Sequence, residues 1–203
     1  MAEAIAPLAA TNALASCLLR LCSPGVADTY QGSELWNQRL VDPDNRVPVD
    51  FAARRARLAA IRERLRDPRA LAAELLARYE DGDVKLFVTH RALVARRDHR
   101  ALFLRGDYRP LGGPENVVAF LRVFGQKRML CAVPRLSRTV TRGAAPFPVG
   151  AVWGERTLRV PATGTYRNAL TGAVVKIAGP VRLAELFADL PVALLLHERT
   201  RSS

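Results

Sequence analysis

The spacing of apolar residues changes at Gly106, and this change constrains the fold more than any other feature. Up to residue 104, apolar residues recur three and four positions apart, as on one face of a helix. After residue 105, short apolar runs are separated by glycine and proline, as in an antiparallel sheet or sandwich. The strands predicted on this basis span 117–123, 128–133, 157–160, 164–168, 173–177 and 191–196. We therefore expect two parts, 1–104 and 105–203.

The first helix is predicted from its capping residues and its apolar spacing. Thr11 or Asn12 can cap a helix of about three turns, and Ser23-Pro24-Gly25 ends it. Its apolar face consists of Leu14, Leu18 and Leu21. Residues 26–30 then predict a short strand, followed by a polar loop over 31–48. A helix, a turn, a strand and a loop in this order are typical of an α/β protein.

Two later helices are also marked by capping residues. Asp50 can cap a helix over 51–67, and Asp67-Pro68 places an N-cap and a first-turn proline at the start of another. The segment 84–104 leaves two structures open. Val84, Leu86 and Val88 alternate as in a strand, whereas the length of the segment favours a helix, which we prefer.

Composition narrows the classes of protein that this chain can belong to. Its three cysteines show no CxxC or Cys/His pattern, so neither a disulfide framework nor a metal site is expected, and we predict a cytoplasmic protein without cofactors.

No apolar run is expected to reach the roughly 18 to 20 residues of a membrane span. The three histidines are far apart and predict surface or half-buried side chains. The net charge of +12 leaves a nucleic-acid binder open, although the arginines are spread along the chain and no binding motif is present.

The loop after the predicted strand has the chemistry of a sugar site. Planar side chains with two polar atoms can hold adjacent hydroxyl groups, and aromatic faces can cover the apolar side of a pyranose. The loop and its start supply such groups in Tyr30, Gln31, Glu34, Trp36, Asp42, Asp44, Asn45 and Arg46. The same residues also fit a simpler interpretation, since Asp-Pro-Asp-Asn is an ordinary turn and both aromatics could be core residues.

The sequence SPGVADTYQGSELW, followed by LVDPDNRVPVDF, resembles the end of the catalytic barrel of maltooligosyl trehalose synthases, which are α-amylase-like enzymes. Similarity continues through KLFVTHRALVARRDHRALFLRGDYRPL and into the stretch that ends in Leu-Thr-Gly, so it covers nearly the whole chain. Two positions depart from the family pattern. Ala27 stands where proline is usual, and Val47 stands where arginine is expected.

The resemblance implies two parts with different folds. Residues 1–104 would be the C-terminal part of a (β/α)8 TIM barrel, with its last strand, its loop and the following helices, and 105–203 would be a small antiparallel β-sandwich. The loops after the strands of such a barrel carry the active site, which agrees with the residue types of the loop. The helical part is then expected to be poorly packed by itself, and the sandwich to be able to fold alone.

The resemblance also implies a reaction. The family converts the reducing-end α-1,4 link of a maltooligosaccharide into an α,α-1,1 link by intramolecular transglucosylation, through a carboxylate nucleophile, an acid/base and a covalent intermediate. The catalytic carboxylates belong to earlier barrel strands, and no position here matches their motifs. We therefore expect an α-glucan-holding segment that is inactive alone and whose partner is the upstream part of the barrel. A truncated gene, half of a split gene and a stand-alone glucan-binding module all remain open.

Overall fold

Helices cover one face of a six-stranded antiparallel sheet. The computed structural model describes residues 2–37 and 46–198. The helices in this range are α1 (Ala2–Cys22), α2 (Phe51–Glu63), α3 (Pro68–Ala77), α4 (Asp83–Asp98), α5 (Arg100–Arg105), α6 (Ser137–Thr141) and α7 (Leu183–Leu186). The strands are β1 (Asp107–Leu111), β2 (Val117–Phe124), β3 (Lys127–Pro134), β4 (Thr157–Arg159), β5 (Gly164–Asn168), β6 (Val174–Ile177), β7 (Pro180–Arg182) and β8 (Ala193–His197). Short 3-10 turns occupy Tyr79–Asp81 and Gly150–Trp153.

The sheet is buried on both faces. Its strand order is β1-β2-β3-β8-β5-β6, and β4 and β7 form a separate two-stranded ribbon. Cys131 at the centre of β3 faces Phe120 of β2 and Leu194 of β8. Because side chains alternate between faces, Cys131 joins the core shared with the helices, whereas Leu130 and Ala132 join the core shared with the ribbon, α6 and α7.

The change at Gly106 marks the passage from helices to strands. All six predicted strands are present, and β1 and β7, which were not predicted, complete the set within the described residues. β1 is nearly all exposed and contains Pro110, so it lacks the apolar signal of a buried strand. Between β3 and β4, the chain also forms the short helix α6. The helical and sheet parts share a core, and their division into two domains stays a prediction.

Helix α1 is longer than predicted. It begins at Ala2, and the hydroxyl of Thr11 donates to the carbonyl of Pro7 within the helix instead of capping a start. The predicted face of Leu14, Leu18 and Leu21 is buried. Because of its extra turns, Ile5–Cys22 is long and apolar enough to cross a membrane by length and composition, so the expectation that no run approaches a span was wrong. Here α1 packs against α4 and β3 as a core helix.

The predicted strand over 26–30 is not formed. The segment has no strand assignment, and Val26 is 96% exposed. A strand needs a neighbour to bond its backbone groups, and within the described residues no other strand pairs with these. The turn before it is present as predicted, with Gly25 in the left-handed region at φ +98°.

The capping predictions are confirmed for both later helices. The Asp50 carboxylate accepts from the Ala53 amide at 2.8 Å, and the Asp67 carboxylate accepts from the Ala70 amide at 3.0 Å. The ambiguous segment is helical, in α4 and α5. α4 contacts α1, α2 and α3, and it therefore buries side chains around much of its circumference. This burial on several sides explains why its apolar residues follow no clean helical spacing.

A buried arginine joins the helical part to the sheet. Arg122 on β2 is 1% exposed, and its guanidinium donates to the carbonyls of Cys22 at 3.2 Å, Phe103 at 2.8 Å and Gly106 at 2.9 Å. These carbonyls lie at the ends of α1 and α5, where helices leave acceptors without internal partners. A cation is also favoured there by the helix dipoles. One side chain of the sheet therefore supplies hydrogen-bond donors to the free carbonyls at the ends of two helices.

Candidate functional site

The loop after α1 is anchored by Trp36. The indole Nε1 donates to the carbonyl of Tyr79 at 2.6 Å, which ties the loop to the 3-10 turn before α4. The ring lines two cavities, one toward α1 of about 340 Å³ and one toward α2 of about 240 Å³. Asn37 lines both cavities as well. Trp36 thus forms a wall between two spaces of a size that could hold parts of a small ligand.

The cavity toward α1 is mainly apolar with a few polar groups at its rim. Its α1 side is made of the small residues Ala6, Ala9, Ala10 and Ala13. Tyr79, Glu80 and Lys85 line the opposite side. The Lys85 ammonium donates to the carbonyl of Leu35 at 3.0 Å and lies 5.7 Å from the centre of the Trp36 ring, within cation–π range. Burial lowers the pKa of Lys85.

The cavity toward α2 is polar. Gln31, Asn37, Asp50 and Arg54 contribute to its lining. Arg54 donates from Nε to the Glu34 carboxylate at 3.2 Å and from Nη2 to the carbonyl of Gly32 at 3.3 Å. One guanidinium therefore holds the loop backbone and its carboxylate against α2.

A glycine allows the loop to lie close to α4. Gly82 has φ +84°, and a Cβ there would lie 3.2 Å from the backbone nitrogen of Trp36. Only glycine adopts this backbone conformation without strain while leaving room for the neighbouring chain. The position of the Trp36 ring therefore depends on a residue outside the loop.

The structure brings together some of the predicted site residues. Trp36 and Gln31 line the cavities, and Glu34 lies at the edge of the polar one, bound to Arg54. Tyr30 is 47% exposed and lines neither cavity, and Arg46 is exposed. Asp42, Asp44 and Asn45 lie outside the described residues. Sugar binding by any of these eight residues stays a prediction.

Four lining residues were missed because they come from other helices and turns. Arg54 is on α2, Tyr79 and Glu80 precede α4, and Lys85 is in its first turn. Lys85 had a signal in the sequence, because it is one of only three lysines among 31 basic residues. A lysine in an arginine-rich chain suggests a place where a compact ammonium is required. Nothing in the sequence near Arg54 or Tyr79 indicated contact with the loop.

The chain is similar in sequence to proteins of a named family. No protein-family model matches the chain. Two Mycobacterium tuberculosis proteins, from strains CDC 1551 and H37Rv, carry the name maltooligosyl trehalose synthase and are each 38% identical to it over 194 residues. The match covers 94% of this chain and 21% of each relative. This chain matches the C-terminal segment of maltooligosyl trehalose synthases.

Solved structures agree with this relationship. A mutant of maltooligosyltrehalose synthase from Arthrobacter ramosus is 36% identical, with a TM-score of 0.74, over 93% of this chain and 22% of the synthase. The unmutated synthase gives 34% identity and a TM-score of 0.65 over the same shares. An Anoxybacillus α-amylase, at 18% identity, has a TM-score of 0.57 over 94% of this chain, which shows a shared fold only. The resemblance drawn from the loop motifs is confirmed, and the chain spans about a fifth of its curated relatives.

Proposed function

We propose that this chain acts as the C-terminal segment of a maltooligosyl trehalose synthase and holds the α-glucan without breaking its bonds. One observation carries the proposal: the match extends along 94% of this chain but reaches only 21% of the length of the synthases. On this basis residues 1–104 correspond to the end of the catalytic barrel, and 105–203 to a C-terminal β-sandwich built from the sheet and the ribbon. The upstream part of the barrel is the proposed partner, and the cytoplasm is the proposed location.

The carboxylates of the loop support a holding role. A retaining glycosyl transfer needs two carboxyl groups about 5 Å apart, one as nucleophile and one as acid/base. In the described residues 31–37 and 46–50, which cover the loop and the cap of α2, the two carboxylates are already engaged. Glu34 binds Arg54, and Asp50 caps α2. Both therefore shape the loop, and we assign the bond-breaking carboxylates to the upstream barrel.

Exchange of segments tests this function. The matching C-terminal segment of the Mycobacterium tuberculosis relative is replaced by this chain, and loss of reducing ends from maltopentaose is measured. We expect no loss with this chain alone and conversion by the chimera, because only the chimera combines catalytic carboxylates with a complete rim. The unaltered relative and a relative lacking the segment are the controls. Conversion by the chain alone, or a folded chimera as inactive as the shortened relative, would refute the proposal.

The loop offers a second prediction on binding. In the chimera, we expect Trp36→Leu to weaken maltopentaose binding by about tenfold, roughly 1.4 kcal/mol, since the ring lines both cavities. Tyr30→Leu is the matched control, since Tyr30 lines neither cavity, and it should change affinity less than twofold. Calorimetry measures both, after unfolding curves have shown that each variant is folded. A larger loss of affinity for Tyr30→Leu than for Trp36→Leu would indicate that the sugar binds at the exposed face of the loop.

A stand-alone glucan-binding module is the second candidate, favoured by the presence of both Trp36 cavities in this chain by itself. Calorimetric titration of the isolated chain with maltopentaose separates the two. Heat of binding to the chain alone, together with an inactive chimera, would favour the module.

A further inference from the structure

A second cleft lies at the other end of α4. It has a volume of about 330 Å³ and forms where the last turns of α4 meet the ends of β5 and β8. A neighbouring cleft of about 260 Å³ shares His99, Leu196 and His197 with it. At 1.5 Å per residue, Lys85 and Asp98 lie about 20 Å apart along α4. The second cleft is thus separate from the Trp36 cavities.

The lining of the two clefts is rich in cations without counter-charges. Arg91 donates from Nε to the carbonyl of Ala169 at 2.8 Å, and Arg128 donates to the carbonyl of Thr163 at 3.3 Å. Within 2–37 and 46–198, neither forms an ion pair with a carboxylate, and the same holds for Lys127 at the second opening. A half-buried cation without a counter-charge carries a desolvation cost that a bound anion can offset.

The two carboxylates that line the cleft already have partners. Asp98 accepts from Arg97 at 2.8 Å, and Glu198 accepts from Arg167 at 2.6 Å. Arg167 also donates from Nη1 to the carbonyl of Gly172 at 3.0 Å. The acidic groups are thus neutralised locally, and the two clefts together are lined by four cations, Arg91, Arg167, Lys127 and Arg128, and by these two carboxylates.

His197 is held in a fixed position at the junction of the two clefts. Its Nδ1 is buried and has no hydrogen-bond partner in the described part of the chain. The ring is held edge-on to Tyr166, with centroids 5.2 Å apart, and a Cβ on Gly164 would lie 2.5 Å from Nε2. Close packing therefore fixes the position of the imidazole at the wall that the two clefts share.

The surrounding cations also affect the histidines. Burial, followed by the charge of Arg128, lowers the pKa of His197. Burial, followed by the charge of Lys127, lowers the pKa of His99, although Asp98 acts in the opposite direction. Burial is the larger cause of both shifts, and the nearby cations add to it.

We propose that the two adjoining clefts together bind a small phosphate monoester at the wall they share, formed by His99 and His197, with Arg91 lining one cleft and Arg128 the other. Arginine is well suited to phosphate because its planar fork presents several N–H donors. A volume of about 330 Å³ lies at the lower end of the range of small-molecule pockets, which leaves room for the organic group of an ester. Such a ligand would bridge α4 to β8 and would stabilise the contact between the helices and the sheet.

The three histidines provide an internal test in the whole chain. Glucose 6-phosphate is titrated in while the imidazole NMR signals are followed. We expect the signals of His99 and His197 to shift with saturation and that of His90 to shift much less, because His90 lines neither cleft and is affected through the charge of its neighbour Arg91. Glucose serves as the uncharged control, and inorganic phosphate should bind several-fold more weakly. Equal shifts of all three histidines, or an equal effect of glucose, would overturn the proposal. Binding of inorganic phosphate as tight as that of the ester would overturn the assignment to an ester.

A charge-matched pair of variants completes the test. Arg91→Gln with Arg128→Gln should weaken glucose 6-phosphate binding at least tenfold at fixed salt. Arg109→Gln with Arg182→Gln removes the same charge from exposed ion pairs elsewhere and should leave binding within twofold. Equal losses in the two double variants would show a general charge effect and overturn the site. Arg128→Gln alone, expected to weaken binding several-fold, replaces the first pair if that pair fails to fold.

Discussion

Replacement of Arg122 by methionine is expected to lower the free energy of unfolding by about 3–5 kcal/mol, because three carbonyls at the junction of the helices and the sheet would each lose a donor. Methionine fills part of the volume but donates nothing. The carbonyls of Cys22, Phe103 and Gly106 would then lose donors at distances of 2.8–3.2 Å. Unsatisfied buried acceptors each cost about 1–3 kcal/mol. The loss falls at the junction of the helices and the sheet, so both parts should unfold together.

Arg96→Met is the matched control for this change. Arg96 is less buried and donates to the carbonyls of Leu21 at 2.7 Å and Gly25 at 2.9 Å, at the same end of α1. Water can replace these bonds, and we expect a loss of about 1 kcal/mol. Urea unfolding followed by circular dichroism gives both values from the shift in midpoint. Equal losses for the two variants would contradict the special role of Arg122.

The importance of Arg122 was not visible in the sequence. It is one of many arginines, and it stands in an apolar run that correctly predicts β2. Its burial depends on the ends of α1 and α5, which lie 100 and 19 residues away. Local signals, such as the carboxylates of Asp50 and Asp67, predict helix starts because the donor and acceptor lie within three residues. Contacts between distant segments leave no comparable pattern.

The loop shows the same difference between local signals and contacts with distant segments. Residue types predicted a ligand site, and the motifs predicted the family, which the similarity to maltooligosyl trehalose synthases confirms. The cavities themselves depend on Lys85, Tyr79 and Arg54, which reach the loop from α2, α4 and the turn before α4. The strand predicted over 26–30 is absent for a related reason. Its residues suit a strand, but a strand also requires a pairing partner, and that partner is a property of the tertiary structure.

A second large effect is expected when the sheet is separated from the helices. We expect the fragment 106–203 to fail to form a cooperatively folded protein, contrary to the expectation that this part is able to fold alone. One face of the sheet is covered by the helices, and Phe120, Met129, Cys131 and Leu194 on that face are each at most 1% exposed in the whole chain. Removal of α1 and α4 would expose this face to water. Contiguous apolar patches of this kind promote aggregation or binding of a partner.

Two measurements on the fragment and the whole chain check this expectation. The whole chain should unfold in a single urea transition, with similar hydrogen-exchange protection in α1 and β3, because the two elements pack in one core. The fragment should bind a hydrophobic dye strongly and lose its near-ultraviolet circular dichroism. A fragment that unfolds cooperatively at the same urea midpoint as the whole chain would show that the core facing the ribbon is sufficient.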